Sequence, residues 1–283
     1  MNLEGLLYNL GARKNFDNRY LFSDEIWVAD ALRGLGIEVR SVDGALEIFE
    51  VDGIEHALAS AMAPQALLFD MDGVLVDVSG SYREAILGTA RFYGVELTSQ
   101  DVSAAKRKGG CNNDWELTLR LMEERGKAVD MDEVIDTFEA LYQGTPGVPG
   151  LRKSEKLLTE RAWLERLARK LPLAVVTGRP RKDCFQLLAE HDLTDLFPFC
   201  VCMEDGPAKP DPAPVFRALE QLGVKRAWMV GDTVDDVRAA RSAGVIPLGL
   251  VAPGDDHVRS QAALMGAGAA RVLHSLRELD TLL

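Results

Sequence analysis

Short apolar runs alternate with amphipathic stretches along most of this chain, and the alternation predicts strand, helix, strand in turn. Ala66 to Phe69, Leu173 to Thr177, Phe199 to Met203, Ala227 to Val230 and Ile246 to Val251 read as strands, the first buried on both faces. Arg181 to His191, Pro212 to Leu222 and Asp235 to Ala243 read as the helices between them. A helix near Asp256, a short strand at Arg271 to Leu273 and a last helix from Ser275 finish the chain. Such alternation implies an α/β fold, with parallel strands and helices on both faces of the sheet. One interval breaks the rhythm. From about Ser81 to Lys170 the pattern is helical throughout. That is too long for a loop, so a separate helical cap is expected there.

The first sixty or so residues have a different pattern. Ser23-Asp-Glu is expected to open a helix to about Leu35, with Trp27, Val28, Ala31, Leu32 and Leu35 on one face and Gly36 at its end. Ile37 to Val42 and Ala45 to Val51 alternate around Asp43-Gly44, a strong hairpin signal. Ile54 to Met62 reads as a further short helix, and Pro64 marks a boundary. The expected organisation is an α-β-β-α appendage at residues 1–63, a core of 64–78 and 171–283, and a helical cap of 79–170. The apolar face at Trp27, Leu32 and Leu35 would dock on the core or on another subunit.

Composition narrows the class. The 283 residues are 47% hydrophobic and 27% charged, as in ordinary globular proteins. No apolar run is long enough to span a bilayer, and no basic-then-apolar leader opens the sequence. A net charge of −12 argues against nucleic acid as a partner, because a phosphate backbone needs basic surface. Membrane is not an expected partner either. Four cysteines in a chain of this length make no disulfide framework, so a reducing cytoplasm fits. Cys200 and Cys202 should face the same side as small buried residues. The four histidines have no ligand spacing.

Candidate chemistry gathers at strand ends, where open α/β sheets bind ligands. The first strand ends in Asp70-Met-Asp72-Gly. Two carboxylates there carry a solvation and repulsion penalty that a cation would offset. The second strand ends in Thr177-Gly-Arg, a third region brings Lys209 in Ala-Lys-Pro-Asp, and the fourth brings Asp232 and Asp236 in Gly-Asp-Thr-Val-Asp-Asp. Alone, Thr177 is a strand-end hydroxyl and Lys209 a loop lysine. Asp235 reads as a residue that favours its helix dipole, and Asp77 as a turn residue.

In order and spacing, this set resembles the haloacid dehalogenase (HAD) superfamily over residues 66–283. The helical insert resembles the caps of its subfamily IA phosphatases. The resemblance implies a Rossmann-like core and a Mg2+-dependent phosphatase acting on a small phosphorylated metabolite. It implies Asp70 as nucleophile, forming an aspartyl-phosphate, and Asp72 as general acid and then base. Thr177 and Lys209 would hold phosphoryl oxygens, with help from amides near Met71, Asp72 and Gly178. The Asp70 carboxylate, the Asp72 main-chain carbonyl and Asp232 would hold Mg2+, with Asp236 behind Lys209 or the metal's waters. Asp72 disfavours dehalogenation and phosphonate hydrolysis, whose family members lack the second aspartate. A phosphomutase of the β-phosphoglucomutase kind, a phosphoglycolate or sugar-phosphate phosphatase, and a non-catalytic scaffold are the competing readings.

The cap contains Lys106-Arg-Lys-Gly-Gly-Cys-Asn-Asn-Asp-Trp-Glu116. As a specificity loop it would close over the ligand, with Lys108, Asn113, Asp114 and Trp115 as candidate substrate contacts. Asp114 or Glu116 would pair with a substrate ammonium, and Trp115 would stack on a flat ring or a cation. As plain structure, Asn113 to Glu116 is a capping box and the basic triplet a solvated helix end. The loop resembles a clade of helical-cap phosphatases tied to histidine biosynthesis. Asn15-Phe, the helix around Trp27-Val28, and Leu35-Gly-Ile-Glu-Val-Arg40 resemble part of the small domain of histidinol-phosphate aminotransferases. Together these imply L-histidinol phosphate as the substrate and a structural or docking role for residues 1–63.

Overall fold

The strands expected on either side of Asp43-Gly44 pair as a hairpin pattern requires. In the computed structural model, β3 (Val39–Val42) and β4 (Ala45–Ile48) pair antiparallel with Val42 opposite Ala45. The structure describes residues 13–14, 20–23, 29, 33, 38–42, 45–48 and 62–283. Two strands precede the hairpin, β1 (Arg13–Lys14) and β2 (Tyr20–Ser23), and the described strands form an antiparallel sheet in the order β1-β2-β4-β3. This corrects the α-β-β-α reading. Ser23, expected to open a helix, closes β2, where the β-prone Tyr20-Leu-Phe run pairs with β4. The helices expected around Trp27 to Leu35 and Ile54 to Met62 lie outside the described residues, apart from helical positions at Ala29, Arg33 and Met62.

The core strand β5 (Ala66–Phe69) has no polar side chain and is buried along its whole length. Leu67 and Phe69 face one buried cluster while Ala66 and Leu68 face another, so both faces of the sheet are covered. Burying such side chains stabilises the fold by roughly 1.5–3 kcal/mol each. Phe69 packs edge-on against Phe197 with ring centroids 6.2 Å apart. Phe69→Ala would cost about 3–5 kcal/mol.

β10 (Leu173–Val176), β11 (Phe199–Val201), β12 (Ala227–Gly231), β13 (Ile246–Leu250) and β14 (Arg271–Leu273) complete a parallel sheet with the order β11-β10-β5-β12-β13-β14. The chain runs outward from β5 to one edge and then returns to β12 on β5's other side. The carboxyl end of β5 therefore lies at the topological switch point, where such sheets open a crevice. Helices α6 (Arg181–Glu190), α7 (Ala213–Leu222), α8 (Val234–Ser242) and α9 (His257–Ala267) fall at the expected intervals. The last segment, Leu276–Thr281, is a 3-10 helix.

After β5 the chain forms a two-residue strand β6 (Val76–Asp77) and then helices α1 (Tyr82–Phe92), α2 (Ser99–Lys108), α3 (Asp114–Glu123) and α4 (Met131–Gln143). It returns through a small hairpin, β7 (Gly144–Thr145) and β8 (Val148–Pro149), and through β9 (Lys156–Leu157), which pairs antiparallel with β6. The expected unbroken helical stretch to Lys170 is thus corrected. Gly144, Gly147 and Gly150, with Pro146 and Pro149, interrupt the helical pattern, which resumes only at Arg161. The following helix α5 (Arg161–Ala168) packs with the C-terminal segment, where the Trp163 indole N–H donates to Asp280 at 3.0 Å and Arg277 lies over the ring.

Candidate active site

The turn after β5 presents two carboxylates by tight backbone geometry. The amides of Leu75 and Val76 donate to the Met71 carbonyl at 2.9 and 3.0 Å, and the Gly73 amide donates to that of Val76 at 2.8 Å. Met71, Val74 and Leu75 are fully buried and pin the turn from below. Gly73 has φ +73°, and a Cβ there would come 2.3 Å from a carboxylate oxygen of Asp232. Glycine alone lets this turn close on the next acidic strand end.

Lys209 organises the floor of the site. It is buried, and its ammonium donates to Asp70 Oδ1 at 2.8 Å, to Asp236 Oδ1 at 2.5 Å and to the Val176 carbonyl at 3.0 Å. Those bonds account for all three of its hydrogens. Burial works against the Lys209 charge, but Asp236 and Asp70 outweigh it and hold the ammonium above the ordinary lysine range. Asp236 has a second duty. Its other oxygen accepts from the Thr233 amide and hydroxyl at 3.0 and 2.6 Å, the capping box that starts α8. One helix cap thereby aims a carboxylate at the lysine.

Asp70, Asp232 and Asp236 each offer an oxygen, and the three oxygens lie within 4.8 Å of one another. Asp70 is pushed up to about 7, chiefly by burial and further by Asp236 and Asp72, with Lys209 pulling the other way. Asp232 is pushed well above the usual carboxylate range by burial, then by Asp236 and Asp70. A cluster of hard carboxylate oxygens this close together fits a divalent cation of the magnesium kind.

Thr177 follows β10 directly. Its hydroxyl oxygen accepts from the Arg179 amide at 3.1 Å, which leaves its hydrogen to point elsewhere, as a donor. Of the residues expected from the strand ends, Asp70, Asp72, Asp232 and Asp236 line one crevice, and Thr177 and Lys209 line a pocket that adjoins it at Asn112 and Gly178.

The cap loop is placed differently from its reading. Lys108, an expected substrate contact, is exposed and does not line the crevice. The lysine that reaches it is Lys106, beside Asp114 at 3.1 Å, with Asp114 and then Asp232 and Asp72 holding its charge against burial. Trp115 packs into the buried cluster and donates its indole N–H to Glu139 at 3.2 Å, so it does not line the crevice. Asn113 caps α3, accepting from the amides of Trp115 and Glu116 at 3.0 and 3.3 Å, and lines an adjoining pocket beside Thr177 and Lys209. Asp114 lines the main crevice, as does Asp77, whose Oδ1 accepts from the Ser79 amide at 2.9 Å in the expected turn. Asp235 does more than favour its helix dipole. Its Oδ2 accepts from the Cys111 amide at 3.1 Å and so latches the cap loop to the core. Next to that latch, a Cβ on Gly178 would meet the Asn112 carbonyl at 2.3 Å.

The sequence pattern gives Arg179 no role. It is 2% exposed and contacts Asp72 and Glu155. The one signal in the sequence is its place directly after Thr177-Gly178, at the carboxyl end of the strand that pairs with β5. The four cysteines are free and buried, in keeping with the reading of Cys200 and Cys202. Among the described residues, no helix is long and apolar enough to cross a membrane.

Comparison with known proteins agrees with this geometry. The model of the family described as "Hydrolase: haloacid dehalogenase-like hydrolase" matches residues 64–244. The chain belongs to the haloacid dehalogenase-like hydrolases. It is 49% identical over 197 residues to an imidazoleglycerol-phosphate dehydratase of Phytophthora nicotianae, a match that takes in 67% of this chain but only 44% of that protein. It is 33% identical over 228 residues to a plasmid phosphoglycolate phosphatase of Cupriavidus necator, covering 77% of this chain and 92% of the relative. A HAD family hydrolase of Deinococcus radiodurans, solved with bound phosphate and sodium, superposes with TM-score 0.59 and 26% identity over 77% of this chain and 94% of its own. The haloacid dehalogenase-like hydrolase described here is accordingly an enzyme of the phosphatase type.

Proposed function

We propose that this enzyme hydrolyses L-histidinol phosphate, a small phosphate monoester, with magnesium and through an aspartyl-phosphate on Asp70. The observation that carries the phosphatase chemistry is the buried Asp70 held by Lys209 inside the cluster with Asp232 and Asp236. The Asp70 carboxylate, the Asp72 carbonyl and Asp232 would hold the ion, which would neutralise phosphoryl charge as it develops. An Asp70 oxygen attacks phosphorus while the bond to the alcohol breaks, and Asp72 gives the departing alkoxide its proton. Asp72 then takes a proton from water. That water attacks phosphorus, inorganic phosphate leaves and the Asp70 carboxylate is restored. The Thr177 hydroxyl donates to a phosphoryl oxygen, and Lys209 keeps positive charge beside the nucleophile.

Two features support an imidazole-bearing substrate. The crevice lining carries the carboxylates of Asp77 and, beside Lys106, of Asp114, which would suit a cationic alcohol. The Phytophthora nicotianae relative is named for an imidazole-bearing phosphate ester. A place in histidine biosynthesis, in the cytoplasm, follows from this reading. Lys106 favours a second reading, since its ammonium in the crevice would also take the carboxylate of phosphoglycolate, for which the Cupriavidus necator relative is named.

Phosphate release from L-histidinol phosphate, phosphoglycolate and a set of sugar phosphates, with magnesium and with EDTA, tests both. The expected result is magnesium-dependent release with L-histidinol phosphate at least tenfold preferred in kcat/KM. Equal rates across the panel would discard the substrate while keeping the phosphatase. Isomer interconversion of a sugar phosphate without release would replace hydrolysis by a mutase.

A further inference from the structure

Arg179 is a buried cation outside the phosphoryl-binding set. It sits after β10, yet most of its partners come from the cap and the cap's linkers. Its Nε donates to Asp72 Oδ1 at 2.6 Å, and one terminal nitrogen lies 2.5 Å from the same oxygen. The two terminal nitrogens donate to the two oxygens of Glu155 at 3.1 Å each. One of them also donates to the Tyr142 hydroxyl at 3.1 Å, and the guanidinium carbon lies 4.8 Å from the centre of the Tyr82 ring. Tyr82 opens α1, Tyr142 lies in the last turn of α4, and Glu155 immediately precedes the return strand β9. Glu155 is itself fastened by the Ser81 hydroxyl at 2.8 Å and the Tyr142 hydroxyl at 3.1 Å.

A planar guanidinium binds a carboxylate in a fixed direction, so its own anchors set where the bound carboxylate points. Here the anchors are Glu155 and two tyrosines, and the carboxylate they direct is Asp72. Both Arg179 contacts fall on Oδ1. That leaves Oδ2 of Asp72, whose side chain is 22% exposed, for the crevice that Asp72 lines.

We infer that Arg179 is a positioning residue. It holds Asp72 by Oδ1 so that Oδ2 meets the leaving oxygen, and it ties that alignment to the seating of the cap linkers through Glu155, Tyr82 and Tyr142. The inference rests on the proposed role of Asp72 as proton donor to the leaving group. It adds no new bond-making step, since Arg179 neither gives nor takes a proton.

Leaving-group dependence tests it. The values of kcat/KM are measured for p-nitrophenyl phosphate, whose leaving group needs no proton, and for an alkyl ester, L-histidinol phosphate or phosphoglycolate, whichever the wild type turns over. The variants are Arg179→Met, Asp72→Asn, the pair together, and Glu155→Gln. Arg179→Met is expected to lower kcat/KM for the alkyl ester about 100-fold and for the aryl ester less than fivefold. The double variant is expected to be no worse than Asp72→Asn. Glu155→Gln is expected to lower the alkyl value about tenfold with the aryl value unchanged, and this variant carries the test should Arg179→Met fail to fold. Equal losses on both esters, or losses that multiply in the double variant, would overturn the inference and leave Arg179 a packing residue. If Asp72→Asn itself spares the alkyl ester, the fault lies with the assignment of Asp72, which separates the two failures.

Discussion

The strand ends of the core and the loop of the cap carry the same kinds of residue, charged and hydrogen-bonding, yet they behaved differently when read from sequence. At the strand ends, the aspartates are aimed by their immediate neighbours. A tight turn around Met71 sets Asp70 and Asp72, and a capping box sets Asp236. In the cap loop, the outcome depends on helical phase. Lys106 and Lys108 are two residues apart on α2, about 200° around the axis, so only one of them can face the crevice. Val102, Ser103 and Ala105 are the buried positions of α2, and Lys106 lies four and three residues beyond the first two, on the same face. Local geometry is legible in order along the chain, while the direction of a helical side chain is legible only once the buried face is chosen.

Substitutions can break this contrast. Asp70→Asn should abolish phosphate release, by roughly 10³-fold or more in kcat, with the far-ultraviolet circular dichroism unchanged. Retained turnover would remove the strand-end cluster from the chemistry. Gly178→Ala should come next, because the added methyl would meet the Asn112 carbonyl and keep the cap loop from seating. A fall of about 10–100-fold in kcat/KM with little change in Tm is expected, and unaltered kinetics would show that this contact is not part of closure. Lys106→Ala should raise KM by about tenfold, roughly 1.4 kcal/mol, close to the lower end of what a charged hydrogen bond contributes. Lys108→Ala should leave KM within twofold. The reverse result would restore Lys108 as the substrate contact and refute the phase assignment. The smallest effect is expected at Trp115→Phe, which loses the bond to Glu139 and about 1 kcal/mol of stability in urea, with KM unchanged. A changed KM would return Trp115 to the substrate.

Much of the core was readable because its strands are apolar from end to end and their neighbours are turn-formers. The places where reading stopped share one cause. β1 and β2 were missed because Tyr20-Leu-Phe-Ser is short and becomes a strand by pairing with β4. The helical interval was read without its break because β7, β8 and β9 are two residues each, too short to carry a period of their own. Arg179 had no assigned role because a single arginine after a strand is usually exposed, and its burial depends on Glu155, Tyr82 and Tyr142 arriving from three other segments.

By itself the sequence determined the alternation of strands and helices and the acidic and basic groups at the strand ends. These follow from hydrophobic period and from turns a few residues long, which short-range sterics and hydrogen bonds decide. Only the tertiary structure decided which cap lysine enters the crevice, that Asp235 latches the cap loop, and that Arg179 joins Asp72 to the cap linkers. Those contacts join segments far apart in the chain. Their energies come from burial and charge pairing that exist only after the segments have met.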